Sequence, residues 1–175
     1  MPPADDLHIA PMTTADDVSA FATLVTEYVD WCRVRYTDHA WFVERVFGYQ
    51  SLEAELAWLA TAYTPPNGRV LLVRRGGQVV GGGAYRRRDA ALCEMKRVFV
   101  PDRFKGQGIG RTLCHALLDT ARADGYSRMC LDTANLLTEA IALYHSLGFR
   151  ECPPYIQYPP DLMPFIVFME RSLDA

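Results

Sequence analysis

The stretch from Arg103 to Gly110, Arg-Phe-Lys-Gly-Gln-Gly-Ile-Gly, limits what this chain can fold into more than any other. An apolar, β-branched run ending in proline, Val98-Phe-Val-Pro101, precedes it and reads as the end of a strand. After it, Ile109, Leu113, Ala116, Leu117 and Ala121 recur at helical spacing. A strand that passes through three alternating glycines into a helix start is a device for anions. The glycines let backbone N–H groups converge, and the helix N-terminus adds partial positive charge. Arg103, Lys105 and Arg111 add full charges around the turn. The expected ligand carries phosphate.

Spacing narrows the choice. A P-loop ends in glycine, lysine and a hydroxyl residue, and Gly106 to Arg111 supplies no such lysine or hydroxyl. A dinucleotide fingerprint that begins at Gly106 and Gly108 needs a third glycine where Arg111 stands, although Asp132 lies where a ribose-binding acid would. The pattern that fits is Arg/Gln-x-x-Gly-x-Gly/Ala, met by Arg103, Gly106 and Gly108, with Gly110 continuing the turn. A glycine-rich strand–helix turn that holds nothing is the plain structural alternative.

With 175 residues, the expectation is a single domain over residues 1–175. Half of the residues are hydrophobic and 22% are charged, an ordinary globular balance. A net charge of -3 argues against a nucleic-acid surface. The five cysteines form no C-x-x-C pair and lie mostly in apolar runs, so they read as reduced core residues of a cytoplasmic protein. The four histidines have no ligand spacing, and no metal site is expected. No apolar run is long enough to span a membrane, and the acidic opening Met1–Asp6 is unlike a signal peptide.

In chain order, Leu7–Pro11 reads as a short strand and Thr14–Asp17 as a helix start with an acidic first turn. Val18, Phe21, Leu24, Val25, Tyr28 and Trp31 form the apolar face of that helix. The aromatic-rich stretch 31–49 has no clear period, and a second helix is expected from Ser51 to the turn Thr64-Pro-Pro-Asn-Gly68. Val70–Val73, Gln78–Tyr85 and Ala91–Val100 read as an antiparallel meander. Gly81-Gly-Gly83 marks a bulge or a place where a ligand or another backbone comes close, and Arg86-Arg-Arg88 reads as a solvated hairpin. The glycine-rich turn and its helix follow. Then come a strand at Arg128–Thr133, a helix at Thr138–Leu147 stopped by Gly148, a strand start at Phe149–Cys152, and a last strand at Phe165–Leu173. The fold class is therefore α/β (α+β), a mixed sheet of about seven strands with about four flanking helices.

This order, with three local patterns, resembles the GNAT superfamily of N-acetyltransferases. The patterns are Glu94-Met-Lys-Arg-Val-Phe-Val-Pro101, the glycine turn, and Ala140-Ile-Ala-Leu-Tyr-His-Ser-Leu-Gly-Phe149. The resemblance implies a partly splayed sheet, acceptor-side helices at about 14–62 and an acetyl-CoA-binding core at about 70–150. It implies acetyl-CoA as co-substrate, with its pyrophosphate on Arg103, Lys105, Gly106, Gln107, Gly108, Ile109, Gly110 and Arg111. The pantetheine arm would pair with the backbone of Val98, Phe99 and Val100 as an added strand, with an N–H near Val98 facing the developing oxyanion. Many members carry an asparagine seven residues before the helix tyrosine. Here that position is Leu137, and the polar contact falls to Asn135 or to backbone groups.

Tyr144 sits where the family's general acid sits, against the reading that it packs on the sheet. Glu94 lies four residues before Val98, so alternation puts both on one face, and a carboxylate in the cleft would serve as base. Its alternative is an ion pair with an arginine on a neighbouring strand. The implied reaction is direct attack of a primary amine, from a small molecule, amino acid or peptide, on the acetyl thioester. Trp31, Arg33, Tyr36, Trp41, Tyr49 and Tyr155 are the candidates for the acceptor site. A non-catalytic acyl-CoA sensor and a dinucleotide-binding oxidoreductase are the alternatives, and the expected assembly is a monomer or homodimer without membrane or nucleic acid.

Overall fold

Thr14 opens the first helix with a capping box, its hydroxyl accepting from Asp17 N–H while the Asp17 carboxylate accepts from Thr14 N–H. In the computed structural model, which describes residues 6–174, this helix α1 spans Ala15–Arg35. The opening Met1–Asp5, most of the basis for expecting no signal peptide, lies outside the described residues. Phe21, Leu24 and Val25 on α1 are buried as their spacing requires. Strand β1 (Leu7–Pro11) precedes α1.

The stretch without a clear period holds a further helix, α2 (Ala40–Tyr49), which buries Phe42, Val43 and Val46. The expected second helix is split at Trp58 into α3 (Leu52–Ala57) and α4 (Leu59–Ala62). The meander follows as β2 (Gly68–Arg75), β3 (Gln78–Arg87) and β4 (Leu92–Phe99). Then come α5 (Ile109–Ala123), β5 (Arg128–Ala134), α6 (Thr138–Ser146), β6 (Arg150–Glu151) and β7 (Ile166–Ser172).

All seven strands join one sheet in the order β1-β2-β3-β4-β5-β7-β6. Among the described residues only β4 and β5 pair in parallel, over Leu92–Glu94 against Arg128–Cys130. Beyond that the two strands part. One apolar cluster lies between the sheet and α5, built on Leu113, Leu117, Met95 and Leu131. A second lies between the sheet and α1, with Phe21, Leu72 and Phe99.

The three glycines of β3 sit between these layers. A Cβ on Gly83 would stand 2.9 Å from Val98 Cγ2 and 3.1 Å from Leu117 Cδ1, while one on Gly82 would stand 3.0 Å from Leu24 Cδ1. The register does shift between Gly82 and Ala84, but the extra residue lies on β4 opposite the glycines, and the atoms closest to the three glycines are side chains of Leu24, Val98, Val100 and Leu117 and not a second backbone.

Candidate active site

The separation of β4 from β5 opens a cleft of about 520 Å³. Past Glu94, β4 has no strand partner on its β5 side among the described residues, so its backbone groups face the cleft. On its other side β4 carries the bulge. Gly82 pairs with Phe99 and Ala84 with Lys96, and Arg97 adopts φ 57°, a left-handed conformation rare for a side chain of this size.

At one end of the cleft lies the glycine turn. Gly106 and Gly108 have φ 75° and 76°, and a Cβ on either would meet nothing within 4 Å. Gly108 is the N-cap of α5, with no side chain closing the cap, so the first N–H groups of the helix remain directed outward. These features fit an anionic group such as a pyrophosphate. Lys105, Gly106, Gly108, Ile109 and Gly110 line the cleft. Lys105 pairs with Asp102 at 2.5 Å and lies 4.0 Å from the Trp31 ring centre, and Trp31 Nε1 donates to Asp102 at 2.9 Å. The loop is thereby tied to α1.

Three of the expected loop contacts stand outside the lining. Arg103 pairs with Glu27 and stacks on Phe104, Gln107 accepts from Arg75 at 2.6 Å, and Arg111 is exposed on α5. Asn135 turns away as well. Its side chain donates to the Pro164 carbonyl at 3.2 Å and its N–H to that of Phe165, while Leu137 lines the cleft instead.

Val98, Phe99 and Val100 line the wall beside the turn, and Tyr144 on α6 faces the same space. The Tyr144 ring meets Phe149 edge-on at 5.8 Å, so the residue both packs and lines the site. Burial, with Cys114 and Asp132 adding to it, pushes the Tyr144 phenol far above its ordinary pKa. It therefore stays protonated and available as a donor at neutral pH.

Glu94 is elsewhere. The expectation that it shares a face with Val98 is overturned by the extra residue at Arg97, which interrupts the alternation. Val98 packs with the α5 cluster, and Glu94 points to the opposite side without lining the cleft. There it is fully buried, with Arg86 at 3.1 Å, Arg88 at 3.3 Å and Lys96 at 3.7 Å. The run Arg86-Arg-Arg88 is accordingly not a simple solvated hairpin, since two of its three guanidinium groups serve this carboxylate.

A polar network that composition and spacing do not announce runs across the floor. Arg97 donates to both carboxylate oxygens of Glu55 at 2.9 and 2.8 Å and to Gln50 at 2.9 Å, and Tyr63 donates to Glu55 at 2.8 Å. Gln50 donates to the Tyr158 hydroxyl at 3.0 Å, and Tyr158 donates to Asp132. Burial opposes ionisation of Glu55, but Arg97 and Tyr63 hold it below the usual carboxylate range. Lys96, Arg97, Gln50 and Asp132 all line the cleft.

Of the aromatic acceptor candidates, Trp31 and Tyr36 line it. Arg33 pairs with Asp30 and Glu44, Trp41 and Tyr49 are about half exposed outside the cleft, and Tyr155 packs on Phe168. Tyr28, Phe42 and Phe47 take their place. Helical spacing put Tyr28 on the right face of α1. Phe42 and Phe47 belong to the helix that had no clear period.

The model of the acetyltransferase (GNAT) family matches residues 28–149. An uncharacterized N-acetyltransferase of Schizosaccharomyces pombe is 30% identical over 96% of both chains. A solved structure described as an acyl-CoA N-acyltransferase from Klebsiella pneumoniae superposes with a TM-score of 0.70 at 27% identity, covering 98% of this chain and 100% of the other. A GNAT acetyltransferase from Elizabethkingia anophelis solved with acetyl-CoA bound shares the fold, with a TM-score of 0.60 at 18% identity over 96% and 99% of the two chains. The glycine turn, the parted strands and the phenol are gathered in one cleft, and these relationships establish that the chain belongs to the GNAT family and is an acetyl-CoA-dependent N-acetyltransferase.

Proposed function

We propose that the cleft holds acetyl-CoA with its pyrophosphate on the N–H groups of Gly108 to Gly110 and its arm along the open edge of β4. The observation that carries this is the coincidence of two features: an uncapped helix start with open space at its glycines, and an unpaired strand edge leading from it. An amide-bearing arm completes such an edge as a further strand does. Lys105 adds charge at the turn, with Arg103 and Arg111 on the rim for the more distant phosphate.

In this reading the thioester lies beside the bulge at Arg97 and Val98, where the shifted register frees backbone N–H groups to face the oxygen that gains charge. The acceptor amine attacks the thioester carbon directly. Tyr144 gives a proton to the departing thiolate. Glu94 acts as the counter-ion of Arg86, Arg88 and Lys96 and holds the end of the paired β4–β5 segment. The acceptor proton then leaves through a cleft carboxylate or water.

The free cysteines, four of them buried, support placement in the reducing cytoplasm. Among the described residues no helix is long and apolar enough to cross a membrane. The test is release of CoA from acetyl-CoA across a panel of amines. Amine-dependent release that is saturable in both substrates supports the reading. Binding of acetyl-CoA without turnover of any amine would favour a sensor.

A further inference from the structure

Two charged side chains face each other where the strands part. Glu94 and Cys130 are the last parallel partners, and Lys96 and Asp132 stand two residues beyond them on the same side of the sheet. Both line the cleft. No ion pair joins them among the described residues: the one carboxylate within 4.0 Å of Lys96 is Glu94, at 3.7 Å. Asp132 is held by the Tyr158 hydroxyl.

Lys96 is short of negative charge. Its side chain is 6% exposed, and Glu94, its one carboxylate partner among the described residues, also serves Arg86 and Arg88. Arg97 beside it is fully engaged by Glu55 and Gln50. Four cations thus meet three carboxylates, Glu55, Glu94 and Asp132. A buried ammonium so placed is stabilised by an incoming anion. Burial first, and then Arg97, push Lys96 below its ordinary pKa, the direction expected of a cation lacking a close partner. Beside these two charges lies an apolar wall of Phe42, Val43, Val46 and Phe47 on α2, with Ile166 from β7.

We propose that the acceptor is an amine that also carries a carboxylate, an α-amino acid with an apolar side chain, its carboxylate on Lys96 and its ammonium on Asp132. This rests on the acetyltransferase reading and names its substrate class. The ammonium gives one proton to Asp132 and onward to solvent. The freed nitrogen forms the bond to the thioester carbon, the C–S bond breaks with the Tyr144 proton passing to the thiolate, and the second nitrogen proton restores the Tyr144 phenol, giving N-acetyl amino acid, CoA and one released proton. The apolar wall takes the side chain.

The experiment compares CoA release with an equimolar pool of apolar L-amino acids, a pool of their amides, and a pool of the matching decarboxylated amines. The same three pools are given to Lys96→Met, and acetyl-CoA binding is measured separately for both proteins by calorimetry. The wild type is expected to prefer the amino acids by about tenfold or more in kcat/KM. Lys96→Met is expected to erase that preference by raising KM for the amino acids, with acetyl-CoA affinity unchanged. Equal or better use of the amides or amines overturns the proposal. So does an equal fall in kcat for all three pools in Lys96→Met, which would make Lys96 a proton acceptor and not an anion anchor. Tight acetyl-CoA binding with no release from any pool overturns this substrate class and leaves the cofactor assignment standing. Failure to bind acetyl-CoA overturns the assignment beneath it.

Discussion

Glu94 and Val98 stand four residues apart on β4 yet face opposite sides of the sheet, because Arg97 between them occupies a left-handed conformation at φ 57°. The bulge separates two tasks along one strand. Upstream, β4 binds a buried ion cluster; downstream, it presents backbone to the cleft.

Glu94→Gln should therefore act on stability before chemistry. It leaves three cations without their shared carboxylate. Arg86 and Arg88, 38% and 30% exposed, can turn toward water, while Lys96 cannot. The expected loss is about 1–3 kcal/mol, with Tm falling about 2–4 °C per kcal/mol in a chain of this size. Any fall in kcat/KM should be the same factor at every pH. A defect that shrinks as pH rises, when more of the amine is already deprotonated, would return the base role to Glu94.

Asp17 supplies a pH dependence of known sign. N–H groups of Thr13 and Thr14 and the Arg74 guanidinium hold its carboxyl well below the usual range, against a smaller effect of burial. A depressed folded-state pKa contributes stability that is present above the unfolded value of about 3.9 and lost as pH falls through the lower folded value. Asp17→Asn should cost about 1–2 kcal/mol at pH 7, with the difference from wild type narrowing below about pH 4. Urea denaturation of both proteins across this range reads it. A difference that stayed constant in acid would show that the charge is not what matters.

Tyr144→Phe retains the ring contact with Phe149, so Tm should change little. If the hydroxyl protonates the thiolate, kcat falls roughly 10–1000-fold while acetyl-CoA affinity is nearly unchanged, since the lost interaction belongs to the transition state. Wild-type kcat under conditions where chemistry limits turnover would leave Tyr144 only its packing role.

What was legible in the chain was what local chemistry fixes. Gly106 and Gly108 marked the turn into α5, where both adopt positive φ, and the spacing of Leu113 and Leu117 marked its buried face. What was hidden depends on partners far along the chain. Nothing in Lys96-Arg-Val98 marks a bulge, since neither glycine nor asparagine occupies the left-handed position. Arg97 is held there by Glu55 and Gln50, more than forty residues earlier. Arg86 and Arg88 look solvated until Glu94 is opposite them. The break at Trp58 lies inside an alanine- and leucine-rich run that favours helix throughout, so local preference gives no sign of it. For the same reason the end of the cleft proposed for the acceptor was the least readable part: Lys96, Asp132 and Phe47 come from separate elements.

The central claim is that acetyl-CoA sits on the start of α5, and calorimetric titration of acetyl-CoA into wild type and Gly108→Val tests it most directly. A Cβ at Gly108 meets no protein atom within 4 Å, so the substitution adds bulk to the open side of the turn, along with the strain of valine at φ 76°. Circular dichroism and Tm confirm that the variant is folded, and Gly110→Ala, whose Cβ has ordinary 3.9 Å contacts with Leu143 and Val100, supplies an unstrained second probe of the same surface. The account predicts binding to wild type and affinity at least about tenfold weaker in Gly108→Val, with a smaller loss in Gly110→Ala. A folded Gly108→Val that bound acetyl-CoA as tightly as wild type would contradict it.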